Sequence, residues 1–520
     1  MAPDQRRTHN IRTSVARRAL SSFGLVLPAL RRDSPINIYV LMLGILILAT
    51  LVRITFIIFA QENGGDWPIY ERFAENILRG CGISQSQPAS AECIPDSGGY
   101  FPGHPAFIAF VWMMFGKSVN VVLFAQLVCY LGAVFRLLMS LRKLTKDNKP
   151  IIVGVGLLLA LSPLQMGWVR YPLTETLALA TSIWYLAEIL YSISEKRLRF
   201  FHLAAALTAA VYIRPDQILL APAAFIVSFY VYDWKKALVK SLIFISMVSV
   251  PVSGWMLRNV FIGHAPLAIA SNSYSVYRTT LGYRSWINTW IVNEYEFSDA
   301  LFPLARYEYR EVKWHPSKFL SEDELLRASL LSKELVAYDG RPFPADIDAK
   351  FKVLANEKRL DMGFLINAKL VVLRAYYLLL NPFSSWGLPL EVKGVDRSAV
   401  ASALSSWNIA AFKELIGDQI TKIFGKFFLY IYRIILFFIF LYLFGASTFK
   451  YLKRNIEPAF SFYRALGWMV VVVVLSRLTF FAILGGLSSR YMVTIIPWIE
   501  SSVVILLISM FNAKALKNIS

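Results

Sequence analysis

Long apolar runs separated by short basic connections set the pattern of this chain. Runs of about 17–25 apolar residues cross the hydrocarbon core of a bilayer. They fall at approximately 36–60, 118–140, 151–168, 173–193, 200–213, 216–232, 239–257, 421–445, 466–487 and 490–511. Ten such spans place both termini on one side and turn two larger segments, 61–117 and 258–420, to the other. Within 61–117, Tyr70, Phe73, Ala74, Ile77 and Leu78 recur at helical spacing, with Glu71, Arg72, Glu75 and Arg79 on the opposite face. The apolar piece from Pro105 to Phe115 is too short to span. These two juxtamembrane helices are joined by a Gly/Pro elbow, Gly98-Gly99-Tyr100-Phe101-Pro102-Gly103-His104-Pro105. In the second segment, Met362 to Leu380 is apolar but broken by Lys369 and Arg374, and reads as an amphipathic helix against the outer leaflet.

The reading is therefore an all-α polytopic membrane protein. It has a basic tail (1–35), a transmembrane core (36–257), an extracytoplasmic segment (258–420) and C-terminal membrane helices (421–520). Composition agrees: among 520 residues, 56% are hydrophobic and only 17% charged, too few for the surface of a soluble chain. The net charge of +20 does not point to nucleic acid, because it is concentrated in short connections. Arg6, Arg7, Arg12, Arg17, Arg18, Arg31 and Arg32 precede the first span. Arg142, Lys143, Lys146, Lys149, Lys196, Arg197, Arg199, Lys235, Lys236 and Lys240 follow at alternate connections. Positive charge on that side marks it as cytoplasmic, in contact with membrane lipid. The first apolar run is too long for the core of a cleavable signal and reads as an uncleaved anchor.

Of three cysteines, Cys81 and Cys93 share the first outward loop, where an oxidising compartment would permit a disulfide; two free thiols are the alternative. No cysteine spacing of metal-site type occurs.

Charges at the ends of membrane helices are costly and carry the chemical signal. Gly64-Gly65-Asp66-Trp67-Pro68-Ile69-Tyr70 puts a carboxylate just beyond the first span. Arg170 and Glu175, Arg214, Arg258 and Arg490 stand at other outward helix ends. An arginine fork grips a phosphate ester, and a carboxylate beside it can take a proton from a hydroxyl nucleophile. Each residue also has a structural reading. Asp66 suits a helix N-cap, Arg170 and Glu175 an ion pair across a turn, Arg214 the capping of a short helix end or snorkelling to the headgroups, and Arg258 and Arg490 interfacial anchoring. His104 suits a hydrogen bond within the elbow.

These motifs resemble the GT-C membrane glycosyltransferases, in particular the group of protein O-mannosyltransferases and aminoarabinose or galacturonic acid transferases. The matching residues are Gly65-Asp66-Trp67-Pro68-Ile69-Tyr70, Ala74 to Gly80, the elbow Phe101-Pro102-Gly103-His104-Pro105 with Phe115-Gly116, and later Glu175, Arg214-Pro215, Trp255 with Arg258-Asn259, and Arg490-Tyr491. The resemblance covers 36–280 and, loosely, the last three spans. It implies an inverting transfer of a sugar from a polyprenyl-phosphate carrier to an extracytoplasmic glycan or lipid acceptor at the cell inner membrane, with Asp66 as general base. Glu175, Arg170, Arg214, Arg258, Arg490, His104 and Tyr70 would bind substrates, and a divalent cation stays open. No second acid follows Asp66, which argues against protein mannosylation. Rival readings are a flippase for a lipid-linked glycan, an O-antigen polymerase or ligase, and a non-catalytic scaffold.

Overall fold

The structure is a computed structural model. It describes residues 36–84, 86, 93, 101–262, 281–305, 309, 318–382, 384–391, 406, 408, 410, 414, 417–453 and 458–511. The basic tail, the Gly98-Gly99-Tyr100 part of the elbow and the terminal lysines lie outside the described residues.

The fold is an all-α polytopic membrane protein. Helices α1 (Ile38–Phe59), α2 (Trp67–Leu78), α3 (Gly103–Phe115), α4 (Val119–Thr145) and α5 (Lys149–Leu161) come first. Next are α6 (Thr174–Ser194), α7 (Phe200–Ile213), α8 (Pro222–Val231) and α9 (Trp234–Phe261). Three shorter helices, α10 (Leu281–Ile287), α11 (Glu294–Ala305) and α12 (Glu322–Val336), lead into α13 (Ala345–Leu380). The chain ends with α14 (Ile420–Lys453), α15 (Pro458–Leu484) and α16 (Ile496–Phe511).

Local chemistry sets the helix boundaries. The side chains of Asn37, Asn148 and Asp233 accept from backbone N–H groups at the starts of α1, α5 and α9. Helix α5 stops at Ser162, before Pro163, which cannot continue a helix. The expected 151–168 span is therefore a 13-residue helix followed by a 3₁₀ turn, Met166–Arg170. The same break recurs at Pro215–Leu220 before α8 and at Ser489–Ile495 before α16. Three of the ten expected spans are thus shorter apolar helices, while eight helices among the described residues are long and apolar enough to cross a membrane. The three 3₁₀ turns sit at or beside the charged helix ends. Irregular backbone of this kind survives at membrane depth where protein surrounds it or where it lines a cavity.

One element differs from expectation. Helix α13 qualifies as a span by length and composition, with a break at Gly363, whose φ of 58° favours glycine. Beyond the break, Val371, Ala375, Leu378 and Leu379 pack against the bundle core. Arg374 is buried and donates to the carbonyls of Asn288, Ile291 and Ala482 at 2.6, 2.8 and 3.1 Å. Arg433 of α14 reaches the carbonyls of Leu379 and Asn381 at 2.9 and 2.7 Å. Carbonyl groups thus satisfy Arg374, one of the two charges that interrupt this apolar stretch.

A continuous apolar core joins α1, α4–α9 and α14–α16. A second core outside it packs Tyr283 and Trp286 of α10 against Ile347 and Phe351 of α13. Helices α2 and α3 share a third, around Trp67, Tyr70, Ile108 and Trp112, against Val122 and Leu173. At the start of α3, a β-carbon on Gly103 would stand 2.6 Å from the Tyr212 carbonyl, so only glycine lets the elbow close on α7.

Candidate active site

Asp66 occupies the N-cap position of α2, where a short side chain ordinarily accepts from the first turn. Here its carboxylate makes no capping bond. Oδ2 instead lies 3.5 Å from Nη1 of Arg490, and both side chains are about one-third exposed. Arg490 projects from the 3₁₀ turn that opens α16, and its backbone N–H donates to Ser488 Oγ at 3.4 Å.

Behind this open pair stands a closed array of charges. Arg214, at the C-cap of α7, donates to Glu175 Oε1 at 3.0 Å and to Asp216 Oδ1 at 3.1 Å. Arg477 of α15 reaches Asp216 Oδ2 at 2.9 Å, the Asp216 carbonyl at 3.2 Å and the Tyr491 carbonyl at 2.5 Å. The guanidinium of Arg214 lies 5.2 Å from the Tyr491 ring centroid, and that ring stacks on Phe481 at 4.5 Å. Three carboxylates (Asp66, Glu175, Asp216) thus meet three guanidiniums (Arg214, Arg477, Arg490), all but Arg477 at helix ends or the turns beside them. Opposite charges this close offset one another's desolvation. The second oxygen of Glu175, Oε2, is buried and has no hydrogen-bond partner among the described residues.

Tyr70 and His104 form the floor. The two rings meet edge-on at 4.7 Å, and His104 Nε2 lies 3.2 Å from the Pro172 carbonyl. Burial, followed by the charges of Asp66 and Glu175, pushes the Tyr70 phenol upward, so it remains a neutral O–H. Burial holds His104 down at about 4, with the bond to Pro172 opposing. The imidazole is therefore neutral at physiological pH.

Of the residues singled out in the sequence, the structure unites Asp66, Tyr70, His104, Glu175, Arg214 and Arg490. Two others serve elsewhere. Arg170 does not pair with Glu175. It bonds to Glu62 at 2.9 Å and to the carbonyls of Ala60 and Gly387 at 2.9 and 2.8 Å, tying α1 to the loop after α13. Arg258 donates to the Ile83 carbonyl at 3.2 Å and lies 4.6 Å from the Trp255 ring. It thereby fastens α9 to the first outward loop, where Cys81 and Cys93 are disulfide-bonded. Arg477 and Asp216 were missed. The available signal was a lone arginine inside the valine-rich run of α15, a costly placement that calls for a partner.

The carboxylates at the site are each matched by an arginine, and no group of three or more His, Cys, Asp or Glu among the described residues is placed to hold a metal.

No family model matches the chain, and no curated protein does. Among solved structures, it is similar to the Archaeoglobus fulgidus oligosaccharyltransferase in complex with zinc and sulfate. The TM-score is 0.40 and the identity 13%, covering 92% of this chain and 50% of that one. It is also similar to the archaeal oligosaccharyltransferase AglB from the same organism, in complex with an inhibitory peptide and a dolichol-phosphate. There the TM-score is 0.39 and the identity 13%, covering 92% of this chain and 51% of that one. The chain spans about half the length of these proteins.

Proposed function

We propose that the protein is an inverting membrane glycosyltransferase of GT-C type. It moves a sugar from a polyprenyl-phosphate carrier to a hydroxyl of an extracytoplasmic glycan or lipid. One observation carries this reading. Asp66 and Arg490 are one-third exposed and 3.5 Å apart, on a wall whose other charges are buried and matched.

In the reaction, Arg490 turns its fork to the carrier phosphate, which frees Asp66. The Asp66 carboxylate takes the proton of the acceptor hydroxyl as that oxygen forms a bond to the anomeric carbon. The bond from that carbon to the phosphate oxygen breaks on the opposite face, its electron pair leaving on the phosphate. Arg490 stabilises the charge that develops there. Glu175, Arg214, Asp216 and Arg477 hold Tyr491 and the two 3₁₀ turns in place, so the open pair meets its substrate without rearrangement. The basic connections favour an outward-facing site at the inner membrane. The deep polar groups offer little to a flippase reading, because their hydrogen bonds are already made within the protein.

The test is transfer from a synthetic short-chain polyprenyl-phosphate sugar, by purified protein, to envelope glycolipid extracted from a deletion strain. Loss of transfer in Asp66→Asn with unchanged abundance supports the mechanism. Normal transfer by that variant sinks it.

A further inference from the structure

A cleft of about 510 Å³ opens between α8 and α15, far from the charged site. Arg464 precedes Arg477 on α15 by thirteen positions, which sets it ~20 Å along the axis from the Asp216 contact. Residues of like position build the two walls. Arg464, Trp468 and Val472 follow one another at four-residue steps on one face of α15, and Ile226 and Tyr230 do so on α8, with Phe229 beside them. Trp468 and Phe229 are about half-exposed, so the cleft opens sideways toward the bilayer. Arg464 is the charged group among the described residues that line it.

This end of the bundle is also its basic end. Directly after α8, the helix α9 opens with Lys235, Lys236 and Lys240, of which Lys236 is partly offset by Asp233 at 3.3 Å. Arginine and tryptophan at one depth suit the headgroup level of a membrane, and the leaflet facing a basic surface is the one rich in anionic lipid.

We propose that this cleft binds an anionic phospholipid of the leaflet facing the basic connections. Its phosphate sits on Arg464, its glycerol lies at the level of Trp468, and part of one acyl chain lies along Ile226 and Val472. The volume holds a headgroup with the first portion of a chain and leaves the remainder in the bilayer. A zwitterionic lipid also carries a phosphate, but its headgroup cation is disfavoured at an end of the bundle that carries Lys235, Lys236 and Lys240. The selection is therefore for net negative charge.

The experiment is native mass spectrometry of the purified full chain, after exchange into micelles holding equal amounts of phosphatidylglycerol and phosphatidylcholine. The wild type is expected to retain phosphatidylglycerol roughly fivefold over phosphatidylcholine. Arg464→Gln, once its elution and melting profile show it folded, is expected to lose the preference. Val472→Trp keeps the arginine but fills the cleft, and is expected to lose the bound lipid of either kind. Equal retention of the two lipids by the wild type overturns the proposal, as does an unchanged preference in both variants. Displacement of the retained lipid by 10 mM inorganic phosphate would identify a site for free anions and overturn it too.

Discussion

Two polar clusters lie within the apolar bundle, and they are finished to different degrees. Around Glu500 of α16, Ser162 Oγ and Tyr432 OH donate to Oε1 at 2.7 and 2.9 Å, and Gln165 Nε2 donates to Oε2 at 2.5 Å. Nearby Arg53 donates to the carbonyls of Ala160 and Leu159, each at 3.0 Å, and to Tyr130 OH at 2.7 Å. Glu500 is fully buried and Arg53 nearly so. Asp66 has one long ion pair, no capping bond and a third of its side chain exposed. A polar group satisfied on all sides holds helices together, whereas a half-satisfied one at an opening is available to a substrate.

The sharpest way to break this comparison is Asp66→Asn. If Asp66 is the general base, transfer should fall by roughly 10³-fold, within the range for loss of such a group. Because Asp66 caps nothing and is partly exposed, the melting temperature should hold. Retained activity, or a large loss of stability, would place Asp66 with the structural charges.

The converse substitution, Glu500→Leu, should act on folding. It leaves the donors of Ser162, Gln165 and Tyr432 without an acceptor, at a cost of ~3 kcal/mol in all. Thermal unfolding in detergent measures this, and transfer per folded molecule should be unchanged. Abolished transfer in folded Glu500→Leu protein would erase the distinction between the clusters.

The difference between the clusters explains what the sequence disclosed. Asp66, Arg214 and Arg490 were legible because each stands beside a Gly, Pro or aromatic residue at the end of an apolar run, and Glu175 because it opens such a run three residues after Pro172; there topology gives a charge an address. Arg53, Arg433, Arg477 and Glu500 sit inside such runs, where hydropathy averages them away and only their expense marks them. Their partners are mostly carbonyls and hydroxyls that three-dimensional packing supplies. For the same reason the packing of α13 against the bundle was not legible. Arg374 weighs against a span until the carbonyls of Asn288, Ile291 and Ala482 are seen around it. Pairings were the least accessible level, as Arg170 shows by choosing Glu62 over Glu175 five positions away.

Arg490→Lys sharpens the open side of the comparison. The charge survives but the planar fork does not, so a donor phosphate held by two parallel bonds should lose roughly 10- to 30-fold in kcat/KM. Titration with the carrier-linked sugar should locate most of that loss in KM. No change would mean that Arg490 serves only as the partner of Asp66. A loss confined to kcat would assign it to the transition state alone.

His104 gives the smallest effect and joins the two kinds of cluster, because it is buried yet touches Tyr70 on the floor of the open site. Its Nε2 donates to Pro172 while Nδ1 has no partner among the described residues, a combination that favours the neutral ring. With its pKa held at about 4 in the folded chain and near 6.5 when unfolded, the unfolded state binds more protons between those values. Stability from this residue is therefore complete above pH 6.5 and declines as pH falls toward 4. Lowering the pH from 7.5 to 5.5 should cost ~1 kcal/mol through His104. Glutamine at this position can still donate to the carbonyl but cannot titrate, so His104→Gln should flatten that part of the stability profile. If both proteins lose the same stability over this interval, the imidazole is not the buried neutral group described, and the floor beneath Asp66 admits more water than its packing implies.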